Sequence, residues 1–207
     1  MINIIKNVNL IEHVEEYDVV LFGSNLYCTL GDYFQEEVFC KYLYVYEGNL
    51  RSKYGDYDKL GTMMECSQEG NPTFTILYIT RGYEIRKKGE RNDFLNYDAL
   101  RTCLEQINER YVGKKIAANV LGCNKLDGNG DKERVLAMME EVLTDVEVDV
   151  YDYREISAFG KYVVDYKKIV HLKDTDYKKF KKELYKIRNK GRQRREKLKE
   201  FRKNLIM

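Results

Sequence analysis

Two loops of the sequence have the composition needed to bind a phosphate group. The first is GSNLYCTLG, residues 23–31, which follows the apolar run YDVVLF and leads into a helical stretch. The second is LGCNKLDGNG, residues 121–130, which also follows an apolar run and contains three glycines. Backbone N–H groups at the start of a helix bind anions without a basic side chain, and glycine lets a backbone approach its ligand closely. Because plain turn geometry also explains each loop taken alone, neither loop identifies a phosphate site by itself.

Several better-known kinds of site are excluded by residue type and spacing. Neither loop contains the Gly-Lys-Ser/Thr of a P-loop or the G-x-G-x-x-G of a dinucleotide fold. Residues 127–131 look like a calcium loop, but Lys132 and Met138 stand where that loop needs Gly and Glu. The chain has only two histidines, and its five cysteines lack C-x-x-C spacing. We therefore expect reduced thiols in a cytoplasmic protein, with no metal site and no cofactor.

The elements that position the two loops alternate between strand and helix. An opening strand begins the chain, and Asp131 is placed as the N-cap of a late helix. The further strands are predicted at 17–22, 73–80, 115–121 and 146–153, and helices at 31–42 and 97–111. Such alternation predicts a largely parallel sheet covered by helices on both faces. In these sheets ligands bind beyond the carboxyl ends of the strands, which directs attention to the loops after Phe22, Thr80 and Leu121.

The order of these segments resembles that of one known family. Asn25, Leu30 and Gly31 match the family's first loop, with Leu30 where Met is usual, and residues 121–123 match the start of its second loop. Other segments similar to the family's strands and helices are LGTMMEC, TFTILYIT, NYDALRTCLEQINERYVGKKIA and ERVLAMMEEVLTDVEVDVYDY. On these motifs, residues 2–153 resemble a macro domain, a module that binds ADP-ribose.

The resemblance implies a fold and a ligand. It implies an α/β domain over residues 1–153, with three α/β/α layers and a mixed, largely parallel central sheet, that binds ADP-ribose or a related nucleotide. Further departures from the family are Asn9 in place of an Asp that contacts adenine, Tyr33 in place of the second glycine of the first loop, a second loop one residue longer, and Lys132 in place of a Trp. The implied ligand-binding residues are Asn9, Leu30, Gly31, Tyr33, Leu121, Gly122, Cys123, Asn124, Gly128 and Gly130.

The resemblance also implies candidate catalytic residues. Arg81 stands where one branch of the family has Lys, and Asn25 stands where other branches place an Asn near the distal ribose. Asp127 or Asp131 would orient water or accept a proton. The reaction would be hydrolysis of ADP-ribosyl linkages or of ADP-ribose 1″-phosphate. The alternative is a catalytically inactive binding or scaffold protein, in which Asn25 stabilises its loop, Asp127 shapes a turn, Asp131 caps a helix and Arg81 is a solvated cation.

Residues 154–207 form a strongly basic extension, for which a long helix is predicted from about residue 175. Residues 161–207 carry 18 basic and 6 acidic side chains, a net charge of +12, whereas residues 1–160 carry 18 and 28, a net charge of −10. The extension, over residues 175–205, is a candidate to bind nucleic acid or an acidic protein, or to dock as a solvated helix through an apolar stripe. No membrane span is expected, and a virus-encoded chain would act in its host's cytoplasm. The candidate nucleic-acid residues are Arg188, Lys190, Arg192, Arg194, Arg195 and Lys197.

Overall fold

Runs of β-branched and aromatic residues form a six-stranded sheet in the first part of the chain. The computed structural model describes residues 1–28, 33–81, 94–124 and 128–153, with scattered residues between 175 and 204. The chain divides into two compact units, Met1–Glu155 and Ile156–Met207. The strands are β1 (Ile2–Lys6), β2 (Val19–Asn25), β3 (Met63–Cys66), β4 (Thr73–Thr80), β5 (Ile116–Asn119) and β6 (Val148–Asp152).

The sheet is mixed and largely parallel, which confirms the expected fold class. Its strand order is β1-β6-β5-β2-β4-β3. Every neighbouring pair is parallel except β3 and β4, which are antiparallel at one edge. From β2 the chain continues to β4 on one side and later returns to β5 on the other. The order therefore reverses between β2 and β5, and such a reversal opens a crevice at the carboxyl ends of the strands.

Helices cover both faces of the sheet. They are α1 (Tyr33–Lys41), α2 (Leu43–Arg51), α3 (Tyr97–Arg110) and α4 (Lys132–Val142), with short 3-10 helices at Leu10–Glu12, Val14–Glu16 and Tyr57–Lys59. On one face Phe22 of β2 meets the rings of Phe34 and Phe39 of α1, each at 6.0 Å between centroids. On the other face Leu21 and Leu77 belong to one buried cluster with Leu100, Leu104 and Met139. Successive side chains of a strand point to opposite faces of the sheet, so helices pack on both faces and form three α/β/α layers.

Side-chain caps set where the two later helices begin. The side-chain oxygen of Asn96 accepts a hydrogen bond from the N–H of Ala99 at the start of α3, at 2.9 Å. The carboxylate of Asp131 does the same for the N–H of Arg134 at the start of α4, also at 2.9 Å. Asp131 is thus the N-cap that its sequence position predicts. Such caps stabilise a helix by about 1 kcal/mol.

The second unit is described only in part. The N–H of Lys179 donates to the carboxylate of Asp176 at 3.0 Å, and Lys186 pairs with Glu183 at 2.8 Å. Of the residues predicted to contact nucleic acid, Lys197 is helical and exposed, and the other five lie outside the described residues. Among the residues that the structure describes, no helix is long and apolar enough to cross a membrane.

Candidate functional site

The loops after β2 and β5 meet at the point where the strand order reverses. A β-carbon placed on Gly23 of β2 would lie 3.6 Å from the backbone nitrogen of Gly122, the second residue of the 121–130 loop. The same β-carbon would lie 3.0 Å from Cδ1 of Ile79 on β4. The glycine at position 23 therefore leaves room for the side chain of Ile79, and the backbone of Gly122 lies within van der Waals distance of the same position. The two loops singled out by their composition are neighbours in the fold.

The pairing of β2 with β4 becomes irregular where the first loop begins. The strand register shifts between Ser24 and Asn25, so that Ser24 pairs with Tyr78 and Asn25 with Thr80. The side chain of Asn25 is 2% exposed, and its oxygen accepts a hydrogen bond from the N–H of Tyr27 at 3.0 Å. This bond shapes the turn that leads out of the strand. Leu30 and Gly31, predicted to contact ligand, lie outside the described residues.

A buried hydrogen bond anchors α1 to the end of β2. The side-chain nitrogen of Gln35 donates to Oγ of Ser24 at 2.9 Å, and the two side chains are 1% and 0% exposed. On the other side, Oγ1 of Thr80 donates to the carbonyl of Ser24 at 3.3 Å. Because Gln35 lies in the first turn of α1, its bond fixes that turn against the strand from which the first loop starts. Tyr33 begins α1 with its side chain 6% exposed.

The second loop closes on itself through its glycines. Gly122 has a φ of 66°, and its carbonyl accepts a hydrogen bond from the N–H of Gly130 at 3.0 Å. A β-carbon on Gly128 would lie 2.0 Å from that same carbonyl oxygen. Leu95 packs on the loop, since a β-carbon on Gly130 would lie 2.4 Å from Cδ2 of Leu95. The N–H of Leu95 also donates to the carbonyl of Gly128 at 2.9 Å. The three glycines thus permit close contact within the loop.

This architecture is found in solved macrodomain structures. The macrodomain of Thermus aquaticus DarG is 13% identical over 73% of this chain and 97% of that chain, with a TM-score of 0.54. The macrodomain of Mycobacterium tuberculosis DarG is 14% identical over 73% and 97%, with a TM-score of 0.51. The chain has the macrodomain fold. A protein of unknown function from Bacteroides thetaiotaomicron is 20% identical over 73% and 98%, with a TM-score of 0.59. No protein-family model and no curated protein matches the sequence.

The remaining candidate ligand residues lie on the same edge of the sheet. Asn9 follows β1, and its side-chain oxygen accepts from the N–H of Ile11 at 3.3 Å. Leu121 is fully buried, whereas Cys123 and Asn124 are half-buried. The thiol of Cys123 donates to the carbonyl of Leu121 at 3.5 Å, and the carbonyl of Asn124 accepts from the N–H of Asn129 at 2.8 Å. The loops therefore bring Asn9 and the second-loop residues to one edge, as parallel strands require.

Two candidate catalytic side chains are exposed at this edge of the sheet. Asp131 uses Oδ1 as the helix cap, while its own N–H donates to the hydroxyl of Tyr97 at 2.9 Å. The guanidinium of Arg134 lies 3.7 Å from the centroid of the Tyr97 ring, which braces the start of α4 against α3. Arg81 follows β4, and its N–H donates to the carbonyl of Phe94 at 3.2 Å. Asp127 lies outside the described residues.

Sequence analysis missed a buried polar cluster directly behind the first loop. Lys59 is 7% exposed, and its Nζ donates to the carbonyl of Leu26 at 3.0 Å and to Oγ of Ser52 at 2.9 Å. Its Nζ also lies 3.6 Å from Sγ of Cys28 and 4.3 Å from the centroid of the Tyr78 ring. Burial lowers the pKa of Lys59, opposed by its contact with Cys28. No motif marks this group, since its members are brought together only by the fold.

Proposed function

We propose that this macrodomain binds ADP-ribose, or a closely related nucleotide, at the carboxyl edge of β2 and β5. The observation that carries the proposal is the contact between the two loops at the reversal of strand order, where the Gly23 position meets Gly122. Ligands of open α/β sheets bind in the crevice at such a reversal. The loop sequences themselves resemble those with which macrodomains hold ADP-ribose, so sequence and placement support the same ligand.

The edge is suited to a diphosphate because two helices begin there. Helix α1 follows the first loop and α4 follows the second, so the N–H groups and the positive dipole ends of both helices face the same edge. Backbone groups of this kind hold an anion without a basic side chain. Asn9, which follows β1 at that edge, carries an amide that both donates and accepts hydrogen bonds. It replaces the Asp of the family, whose carboxylate only accepts hydrogen bonds. Nucleotides whose purine differs from adenine in its hydrogen-bonding edge should therefore be compared with ADP-ribose as ligands.

A more specific proposal is that the protein also hydrolyses its ligand. The contacts of two candidate catalytic residues support binding more strongly than hydrolysis. The oxygen of Asn25 is already engaged with the N–H of Tyr27, and its side chain is 2% exposed. Asp131 is engaged as the cap of α4. Hydrolysis of an ADP-ribosyl linkage or of ADP-ribose 1″-phosphate would need Asn25 at the distal ribose and an acidic residue, Asp127 or Asp131, on the attacking water, with Arg81 beside them.

Calorimetric titration of the full chain with ADP-ribose tests the proposal. Binding of ADP-ribose with much weaker binding of AMP and of ribose 5-phosphate is expected, because only the whole ligand reaches both loops. Ligand at about 100 times its Kd should also stabilise the fold by about 2.7 kcal/mol. Equal affinity for AMP and ADP-ribose, or no binding at millimolar ligand, would refute it. Hydrolysis is then tested on the binding-competent protein with an ADP-ribosylated acidic peptide and with ADP-ribose 1″-phosphate.

The basic extension supports a second, separate function. Its net charge of +12 over residues 161–207 is the observation behind contact with nucleic acid or with an acidic protein surface. Nucleic-acid binding would weaken steeply with salt, since each phosphate contact releases a counterion. Filter binding of the full chain and of residues 1–155, at several salt concentrations, separates the two units. Equal retention of both chains by nucleic acid would exclude this role for the extension.

A further inference from the structure

The buried cluster behind the first loop places an amine next to a thiol. Nζ of Lys59 lies 3.6 Å from Sγ of Cys28, and both side chains are buried, at 7% and 6% exposure. Ser52 contacts both groups, with its Oγ 2.9 Å from the amine and 3.2 Å from the sulfur. Cys28 lies in the first loop but is not one of the candidate ligand residues, and Lys59 lies outside both loops. The proposed ligand contacts therefore do not explain why this amine and this thiol are buried together.

Burial disfavours the charged form of Lys59, whereas its contact with Cys28 and the nearby charge of Asp56 oppose that effect on its pKa. Within the described parts of the chain, no carboxylate lies within ion-pair distance of its Nζ, and the neighbouring groups are a carbonyl, a hydroxyl, a thiol and the Tyr78 ring. A buried ammonium without a direct ion pair is costly. Burial accordingly lowers the pKa of Lys59 from its usual value. A neutral amine has the free electron pair that a nucleophile needs, and lysine reaches this state readily when buried.

The sulfur of Cys28 is held in place for reaction with that amine. The thiol donates to the carbonyl of Asn49 at 3.1 Å. The backbone of Cys28 adopts a φ of 52°, a value that residues other than glycine rarely adopt. The side chain of Asn49 is fully buried, and among the described residues its Nδ2 has no hydrogen-bond partner. Asn49 therefore contributes its backbone carbonyl to the sulfur of Cys28 and also carries a buried donor that is unsatisfied within the described part of the chain.

We propose that Cys28 and Lys59 form an oxidation site, in which peroxide converts the pair into a covalent sulfur–nitrogen link. In the first step the sulfur attacks hydrogen peroxide, the O–O bond breaks, and a sulfenic acid and water form. Sulfur loses two electrons and peroxide gains them. In the second step the nitrogen of Lys59 attacks that sulfur, the S–O bond breaks, and the departing hydroxide takes a proton from the amine to leave as water. The product is a sulfenamide, which a thiol reductant returns to thiol and amine.

The link would act on the first loop, because the same cluster braces the residues that enter it. The carbonyl of Leu26 accepts from Lys59 and also from the N–H of Gly55 at 2.9 Å. The rings of Tyr27 and Tyr54 meet at 5.3 Å between centroids. Drawing Cys28 onto Lys59 would displace the start of the loop, so the oxidised protein should bind ADP-ribose about tenfold or more weakly, a loss of about 1.4 kcal/mol. This consequence rests on the proposed function, whereas the link does not.

Peptide mapping of the oxidised full chain tests the link. The protein is treated with hydrogen peroxide, quenched with catalase, digested without reductant and analysed by mass spectrometry. We expect a peptide pair joined through Cys28 and Lys59, about 2 Da lighter than the sum of its parts, which dithiothreitol separates. Cys28 trapped by dimedone with Lys59 unmodified in the wild-type protein would overturn the proposal. So would a disulfide between two cysteines as the only product.

Variants sharpen this result. K59R keeps hydrogen-bond donors at this position but lacks a nucleophilic amine, so Cys28 should stop at the sulfenic acid and react with dimedone. C123S removes the half-buried thiol of the second loop and should leave the joined peptides unchanged. If the reduced protein binds ADP-ribose and the linked protein binds it equally well, control of the loop is refuted while the link stands. If the reduced protein does not bind ADP-ribose at all, the proposed function fails and the peptide map alone decides the link.

Discussion

A β-carbon on Gly128 would lie 2.0 Å from the carbonyl oxygen of Gly122. The backbones of these two residues therefore approach each other as only glycine allows, and the carbonyl of Gly122 also accepts the N–H of Gly130 at 3.0 Å. The contact closes the second loop into a compact turn beside the end of β2. We expect a ligand held between the two loops to depend on this closure. Substitution of either glycine therefore tests the proposed site.

Replacing Gly128 by alanine should open the second loop and weaken ADP-ribose binding at least about tenfold, or about 1.4 kcal/mol. The added methyl group meets a backbone carbonyl, which cannot move away without breaking the bond to Gly130. Calorimetric titration measures the affinity, and circular dichroism checks the fold. G70A is the control for a Gly-to-Ala change elsewhere in the chain, because a β-carbon on Gly70 would meet nothing within 4 Å and alanine there costs only the backbone strain of a φ of 76°. Wild-type affinity in G128A would show that ADP-ribose does not depend on this turn.

Replacing Ser24 by alanine should destabilise the domain by about 1–3 kcal/mol, because the buried hydrogen bond between the Ser24 hydroxyl and the Gln35 amide is lost. A shift of that size lowers the Tm by about 2–4 °C for each kcal/mol in a protein of this length. S67A is the control, since the hydroxyl of Ser67 makes an exposed hydrogen bond to Thr73 at 3.0 Å. Thermal unfolding of the three proteins compares them. A Tm equal to that of S67A would mean that the bond between Ser24 and Gln35 does not anchor α1.

Some elements could be predicted from residue type and spacing, and one helix could not. Strand β4 has the bounds predicted from its β-branched and aromatic residues, and the apolar face of α3 follows steps of three and four. Helix α2 is rich in Tyr and Val and has Gly48 at its centre, so local preference argues against a helix. Packing decides instead. Val45 is fully buried, and a β-carbon on Gly48 would lie 2.5 Å from Sγ of Cys66, so glycine lets α2 lie close on β3.

The place of the candidate site could also be predicted, but not its contacts. Parallel strands put their carboxyl ends at one edge, so loop order alone located the two loops. Two contacts depend on backbone paths that composition does not specify. They are the hydrogen bond from the N–H of Tyr27 to the side-chain oxygen of Asn25 and the close approach of Gly128 to the carbonyl of Gly122. Cys28 and Lys59 are 31 residues apart and form no motif. Their meeting results from the way the segment after α2 folds back on the end of β2.

Two substitutions of Asp131 should separate its capping role from a catalytic one. D131A removes the cap of α4 and should cost about 1 kcal/mol of stability, whereas D131N keeps a capping oxygen and should stay near the wild type. If Asp131 only caps, D131N also keeps any ADP-ribosyl hydrolysis that the wild type shows. A D131N protein that unfolds like the wild type but has lost turnover would instead assign the carboxylate to the reaction. Urea unfolding and a turnover assay on the same samples decide between the two roles.

The stability of the domain should fall in alkali through Tyr111. Burial raises the pKa of Tyr111 to about 12, and its hydroxyl donates to Oε1 of Glu65 at 2.8 Å. A pKa that is higher in the folded state stabilises the fold below the unfolded value of about 10, and this contribution is lost as the pH rises from about 10 towards 12. The difference in unfolding free energy between wild type and Y111F should therefore be constant from pH 7 to about 9 and shrink above about 10. Urea unfolding across this range measures it, with Y57F at an exposed tyrosine as the control for loss of a phenol. A difference that stays constant beyond pH 10 would show that the Tyr111 hydroxyl titrates alike in the folded and unfolded chains.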